Sequence, residues 1–162
     1  MKIVLMGNPN VGKSALFSRL TGIDVTVSNY PGTTIELKKG EMKFDSTLAE
    51  VIDAPGSYTL EPTSKAEEVA VNMLSKGDLV INVVDATNLE RNLYLTLHLL
   101  ERGIPVIVVL NFWDETRHLG IHIDIKKLES YLRRFFRLPP ISLHWYICFH
   151  GLWLHRASIP AS

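Results

Sequence analysis

The chain has 162 residues, 46% of them apolar and 21% charged, the composition of one globular domain large enough to bury a core. Lysine plus arginine (17) equals aspartate plus glutamate (17), so the basic excess that marks a nucleic-acid surface is missing and no nucleic-acid partner is expected. A single cysteine, Cys148, excludes an internal disulfide; with no charged-then-apolar leader and no apolar run of about 18 residues, a soluble cytosolic domain is expected.

Residues 3–6 (Ile-Val-Leu-Met) read as a short buried strand, and residues 13–20 as a helix with Leu16, Phe17 and Leu20 at helical spacing. Between them Gly7 to Ser14 spell Gly-Asn-Pro-Asn-Val-Gly-Lys-Ser, a G-x-x-x-x-G-K-[ST] loop in the strand–loop–helix setting that a phosphate cradle requires. The glycines let backbone N–H groups turn inward around phosphate oxygens, and the following helix adds the positive end of its dipole. Asn8, Asn10, Val11, Gly12, Lys13, Ser14 and Ala15 are therefore the candidate nucleotide-binding set. Lys13 would reach the β- and γ-phosphates, and the Ser14 hydroxyl would ligate Mg²⁺.

Residues 21–34 are rich in turn formers and polar side chains and read as a long surface loop. Two strands follow, 35–44 and 47–53, joined by a turn at Asp45-Ser46; Lys38, Lys39 and Lys43 mark the first as a solvated edge strand. Residues 64–74 form a helix with Glu67 and Glu68 in its first turn, suited to the dipole. A strand over 79–84, a helix over 89–102, a strand over 105–110 and a helix over 124–135, opened by Asp124, complete the pattern. Apolar strands alternating with helices predict an α/β domain: a mostly parallel, six-stranded sheet with helices on both faces and its ligand beyond the carboxyl ends of the strands.

Two further motifs fall at those strand ends. Asp53-Ala-Pro-Gly56 places a carboxylate where it can hold Mg²⁺ through water and a Gly56 N–H where it can bond a γ-phosphate until hydrolysis removes that group. Asn111-Phe-Trp-Asp114 offers a carboxylate that accepts two N–H donors from the guanine edge, with Asn111 bracing the loop and touching the purine. In this order the three motifs are those of a GTPase. The loop Ser28-Asn-Tyr-Pro-Gly-Thr-Thr34 should hold the first switch, where the hydroxyl of Thr33 or of Thr34 can complete the Mg²⁺ shell.

Gly7 to Ser14, Asn29-Tyr-Pro-Gly-Thr-Thr-Ile-Glu36, Asp53-Ala-Pro-Gly-Ser-Tyr-Thr-Leu60, Val83-Val-Asp-Ala-Thr-Asn-Leu-Glu-Arg-Asn-Leu93 and Asn111-Phe-Trp-Asp-Glu115 together resemble the N-terminal cytosolic G domain of the ferrous-iron transporter FeoB family, over about residues 1–135. The resemblance implies a Ras-like P-loop GTPase fold that binds GTP and GDP and hydrolyses GTP slowly. It also implies a regulatory role in ferrous-iron uptake at the cytoplasmic face of the cell membrane, through a permease domain of the same full-length protein that this chain does not contain. By position Thr34 becomes the Mg²⁺ ligand of the first switch, beside Ser14 and Asp53, and Asn10 matches the asparagine that holds K⁺ in potassium-activated relatives. Lys13, Thr34 and Gly56 are then the candidate catalytic positions. Where Ras-like enzymes carry a water-orienting glutamine this chain has Ser57, followed by Tyr58; neither replaces it, and water positioning falls to backbone groups of the first switch. A homo-oligomer is left open. The alternative is a soluble Era-like GTPase acting on RNA or ribosomes, although such proteins usually append a basic domain that is not visible here; a GDP-holding module without turnover is a weaker reading.

From near residue 135 the pattern changes. No acidic residue follows Glu129, and residues 135–162 hold two of three tryptophans, three of six histidines and the cysteine. The chain therefore divides into a G domain, 1–135, and an atypical tail, 136–162, of the kind that a shifted reading frame or a cloning scar produces. Pro139-Pro-Ile-Ser142 stands where a last strand should be, with Ser142 near the expected guanine loop, and residues 143–154 would make a poor surface helix. His144, Cys148 and His150 are read as incidental rather than metal ligands, and His118 and His122 as solvated loop residues.

Overall fold

Eight strands form one sheet in the computed structural model, which describes residues 1–22, 25–44, 47–136, 143–149 and 152–156. In chain order the elements are β1 (Lys2–Gly7), α1 (Lys13–Thr21), β2 (Val25–Asn29), β3 (Glu36–Phe44), β4 (Thr47–Asp53), α2 (Lys65–Leu74) and β5 (Leu79–Asp85). A 3₁₀ turn (Ala86–Asn88), α3 (Leu89–Glu101), β6 (Val106–Asn111), α4 (Trp113–His118), α5 (Ile125–Phe136), β7 (Leu143–Phe149) and β8 (Leu152–Arg156) follow. The sheet order is β2-β3-β4-β1-β5-β6-β7-β8. β4, β1, β5, β6 and β7 run parallel to one another, and β3 pairs antiparallel with β4, which gives the expected six-stranded, mostly parallel sheet. β2 and β8 extend it antiparallel at its two edges.

Alternation along the central strands divides the core in two. Ile3, Leu5, Val51, Ile81, Val83 and Val109 pack with Leu16 and Phe17 of α1 on one face. Val4, Met6, Ile52, Val80, Val84, Val108 and Leu110 pack on the other with Val69 and Met73 of α2, Leu95 and Leu99 of α3 and Leu132 of α5. Each such side chain contributes about 1.5–3 kcal/mol on full burial, and β4, β1, β5 and β6 form the buried centre of the sheet. Asn82, the polar exception in β5, is buried; its Nδ2 donates to Thr96 Oγ1 of α3 at 2.8 Å, while its Oδ1 has no hydrogen-bond partner among the described residues, so only the amide nitrogen's desolvation is offset.

Side-chain caps fix the starts of α2 and α5. Ser64 caps α2 by accepting from the Glu67 N–H at 3.2 Å, and Glu67 Oε2 accepts from the Thr63 N–H at 2.8 Å and the Thr63 hydroxyl at 2.7 Å. Those bonds to Thr63 hold the Glu67 carboxyl below its ordinary pKa. A depressed folded pKa gives stability that is present above the carboxylate range and is lost as pH falls through it. The gap in thermal midpoint between wild type and Glu67→Gln should therefore be present at pH 7 and close in acid; a constant gap would assign the effect to shape rather than charge. Asp124 opens α5 as expected, accepting from the Lys127 N–H at 2.9 Å.

Three expectations are corrected. The loop over 21–34 contains β2, paired with β3 from Val25↔Gly40 to Asn29↔Glu36, so β3 and its lysines are not at the sheet edge. Lys39 instead lies 3.6 Å from Glu50 of β4, a half-exposed pair of small energetic weight. Residues 113–118, not read as helical, form α4. The stretch 143–154, read as an ill-suited helix, supplies β7, in parallel register with β6 (Val106↔Leu143), and the start of β8. Pro139 to Ser142 lie outside the described residues.

Candidate nucleotide-binding site

The carboxyl ends of β1, β4 and β6 converge on the loop between β1 and α1. Gly7 closes β1 so near β5 that a Cβ would stand 2.5 Å from the Val83 carbonyl oxygen. At the other end of the loop Gly12 takes φ +83°, and α1 begins at Lys13. Asn10 also has a positive φ of 66°, a conformation that asparagine tolerates.

Lys13 Nζ is ion-paired with Asp53 Oδ1 at the end of β4, and the two side chains are only 11% and 8% exposed. Ser14 Oγ lies 3.4 Å from Asp53 Oδ2. A hydroxyl and a carboxylate brought together beside a lysine form the hard-oxygen set that Mg²⁺ accepts, so these residues fit that ion. Asn10, at the exposed rim, offers a carboxamide oxygen of the kind K⁺ accepts. A Cβ on Gly56 would stand 3.1 Å from the Pro9 nitrogen, and the Ser57 N–H donates to the Gly7 carbonyl at 3.1 Å. The Asp53–Gly56 corner is thus seated directly against the phosphate loop.

Two adjoining cavities open here. One, of about 520 Å³, is lined by Asn8, Asn10, Lys13, Ser14 and Gly56. The other, of about 280 Å³, is lined by Leu16, Arg19, Val109, Asn111, Asp114 and Glu115. Gly12, Ala15 and Phe112 line both, which makes one continuous trench from charged to apolar-and-acidic walls. Asn111 Nδ2 donates to the Val11 carbonyl at 2.9 Å across 100 residues of chain, fixing the end of β6 to the phosphate loop.

The structure therefore brings together Asn8, Asn10, Val11, Gly12, Lys13, Ser14, Ala15, Asp53, Gly56, Asn111 and Asp114. It does not bring Thr33 or Thr34 to the trench. The Thr33 hydroxyl donates to the Tyr30 carbonyl at 3.0 Å and closes the turn before β3, while Thr34 is exposed. Ser142 lies outside the described residues. Motif spacing alone does not single out Phe112, Arg19 or Glu115. Phe112 and Glu115 flank Asp114 or lie within its motif, and Arg19 is four residues from Ala15 on the same side of α1, so helical spacing from the loop is the one signal that points to it. Among the described residues no cluster of three or more His, Cys, Asp or Glu could hold a metal, and no helix is long and apolar enough to cross a membrane.

A strand–loop–helix phosphate cradle with Asp53 at the end of β4 and the Asn111–Asp114 pair at the end of β6 is the architecture of a Ras-like P-loop GTPase. The sequence model for ferrous iron transport protein B matches residues 1–135, and the chain belongs to that family. It is 47% identical over 135 residues to the Fe(2+) transporter FeoB of Legionella pneumophila, and 44% identical over 135 residues to a Fe(2+) transport protein A/FeoB fusion protein of Porphyromonas gingivalis. These alignments take in 80% and 82% of the chain but only 18% and 16% of the relatives' length. Among solved structures, the cytosolic domain of L. pneumophila FeoB superposes with a TM-score of 0.77 at 43% identity, covering 90% of this chain and 60% of that one. A GDP-bound mutant of the S. thermophilus FeoB G-domain gives 0.78 at 42% identity, covering 91% and 54%. The Methanococcus jannaschii FeoB G-domain gives 0.70 at 40% identity, covering 89% and 83%.

Proposed function

We propose that this chain is a G domain, over residues 1–135, that binds GDP and GTP in the trench and hydrolyses GTP slowly. Its nucleotide state regulates ferrous-iron passage through the membrane permease of the same full-length protein, at the cytoplasmic face of the membrane. The observation that carries this reading is the continuity of the trench: Lys13, Ser14 and Asp53 at one end, Asn111 and Asp114 at the other. GDP-bound relatives of the same fold support it.

Lys13 exchanges its Asp53 partner for β- and γ-phosphate oxygens, and the freed carboxylate faces the Ser14 hydroxyl. Ser14, Asp53 and Thr34 would hold Mg²⁺, which offsets phosphate charge, and Asn10 would hold K⁺, which offsets charge developing between β- and γ-phosphates. Because Thr34 stands outside the trench, the first switch must move inward when GTP binds. The Gly56 N–H then faces the γ-phosphate and holds it until water attacks phosphorus and the bond to the β-phosphate oxygen breaks.

Slow turnover follows from what Ser57 does. It is fully buried, and its hydroxyl donates to the Thr59 carbonyl, turned into its own loop. With no side chain there to orient water, turnover should fall well below the enzyme median of about 10 s⁻¹. Ser57→Ala should keep phosphate release within about tenfold of wild type in a single-turnover assay; a larger loss would make Ser57 the water-positioning group.

The proposal is tested by titrating a fluorescent GDP analogue in Mg²⁺ and K⁺, with GDP and ADP as competitors. Displacement by GDP alone supports it, and absence of binding or equal displacement by ADP overturns it.

A further inference from the structure

Asn8 is 3% exposed, and among the described residues neither its Nδ2 nor its Oδ1 has a hydrogen-bond partner. Asn82, the other buried asparagine with an unpaired atom, keeps its amide nitrogen bonded to Thr96. A buried amide with neither donor nor acceptor used is costly, and it is accounted for where a second arrangement of the site supplies the partners.

The surroundings of Asn8 identify that arrangement. It lines the cavity of about 520 Å³ together with Lys13, Ser14 and Gly56. Both of its chain neighbours touch the corner that follows β4. The Gly7 carbonyl accepts from the Ser57 N–H at 3.1 Å, and a Cβ on Gly56 would stand 3.1 Å from the Pro9 nitrogen. The corner is held on either side. Before it, the Ala54 N–H donates to the Leu5 carbonyl at 3.1 Å. After it, Leu60 is buried, its N–H donates to His98 Nδ1 at 3.5 Å and its carbonyl accepts from Arg102 at 3.3 Å, while the Arg91 guanidinium lies 4.6 Å from the centre of the Tyr58 ring. Movement is thereby confined to the main chain of residues 55–57, the stretch that borders Asn8. A planar trans peptide carries its C=O opposite its N–H, so a Gly56 N–H turned toward a γ-phosphate turns the Pro55 carbonyl the other way. A primary amide, with a donor and an acceptor, can meet main-chain groups of either kind that such a turn displaces.

We propose that Asn8 is a positioning residue that reads the third phosphate through this corner: its amide pairs with the main chain of residues 55–57 when GTP is bound. The inference rests on the nucleotide-binding reading above and adds to it a means of telling GTP from GDP. In the conformation described, Lys13 is committed to Asp53 and the amide is unpaired. Engagement of the γ-phosphate satisfies it, so the pairing favours the triphosphate and holds the Gly56 N–H in place for hydrolysis.

The test compares wild type, Asn8→Leu and Asn8→Ala by competition with GDP and a non-hydrolysable imido analogue of GTP, by single-turnover phosphate release at saturating GTP, and by thermal midpoint without nucleotide. Both variants should lower the ratio of analogue affinity to GDP affinity about tenfold and slow phosphate release about tenfold. The midpoint of Asn8→Leu should not fall, because the side chain keeps its volume and has no bond to lose. Gly56→Ala supplies a second background, in which Asn8→Leu should change the ratio by less than about twofold, since both residues act through one corner. An unchanged ratio in the single variants overturns the proposal. So does a full, additive loss in the Gly56→Ala background, which would place the amide on the phosphate itself. A midpoint lowered by more than about 5 °C in both single variants also overturns it, because the amide would then be paired without the phosphate. A wild-type chain that binds neither nucleotide overturns the underlying nucleotide reading, an outcome distinct from those three.

Discussion

Asp114→Asn is expected to weaken GDP binding by about a hundredfold and to move the preference of the site toward xanthosine diphosphate. The reasoning is one of donors and acceptors. A guanine edge presents N1–H and an exocyclic N–H, and a carboxylate accepts both. An amide accepts one and places its own N–H against the other, while xanthine presents a carbonyl there and accepts it. Hydrogen bonds to a charged group contribute about 1.5–3 kcal/mol, so losing one and opposing its donor approaches about 3 kcal/mol, or roughly a hundredfold. The exchange is nearly isosteric and leaves α4 anchored, because the Thr116 hydroxyl donates to the Trp113 carbonyl at 2.7 Å and the Glu115 N–H to the Phe112 carbonyl at 3.1 Å. Competition titration with GDP and xanthosine diphosphate measures the result. Undiminished guanine preference in the variant would mean that the base is read by main-chain groups and that Asp114 serves only the first turn of α4.

The central strands and the phosphate loop were legible because their signals are local and redundant. Residues 3–6 are apolar without interruption, since both faces of β1 are covered, and the loop motif follows directly. β2 was hidden for the opposite reason. Val25–Asn29 alternates weakly, is exposed from Thr26 onward, and is a strand only because β3, seven residues later in the chain, pairs with it on one side. α4 is six residues long and opens on a residue with positive φ, so propensity has too little chain over which to act. Residues 143–149 lack a polar helical face because their backbone is extended, Leu143–Ile147 lying along β6 in a pairing between residues nearly forty apart in sequence. In the site, motif spacing picked out the polar groups Lys13, Asp53, Asn111 and Asp114. The apolar wall of Leu16 and Val109, which belong to no motif, and of Phe112, an unspecified position within one, becomes visible only when β6 is laid beside α1.

Gly12→Ala should remove nucleotide binding while leaving the chain folded, because it separates the two halves of the trench. Alanine at residue 12 meets two costs. The first is the left-handed backbone at φ +83°, about 1–2 kcal/mol for a residue with a Cβ. The second is steric: the new Cβ would stand 2.3 Å from Asn111 Nδ2, so the carboxamide must leave. Its departure breaks the 2.9 Å bond to the Val11 carbonyl, which contributes about 1 kcal/mol, and frees the end of β6 that carries Phe112 and Asp114. Together these costs predict a fall of about 5–10 °C in thermal midpoint, at roughly 2–4 °C per kcal/mol for a chain of this size. GDP affinity should fall by more than about a hundredfold, since base and phosphate contacts no longer share one geometry. Gly103→Ala supplies the control, because Gly103 has φ +69° but a Cβ there would meet no neighbour within 4 Å. That variant should bear the backbone cost alone and bind GDP as wild type does. If Gly12→Ala loses no more stability than Gly103→Ala and still binds GDP, the Asn111–Val11 bond is not what joins the base pocket to the phosphate loop, and the coupling must run through the packing of α1 against β5 and β6.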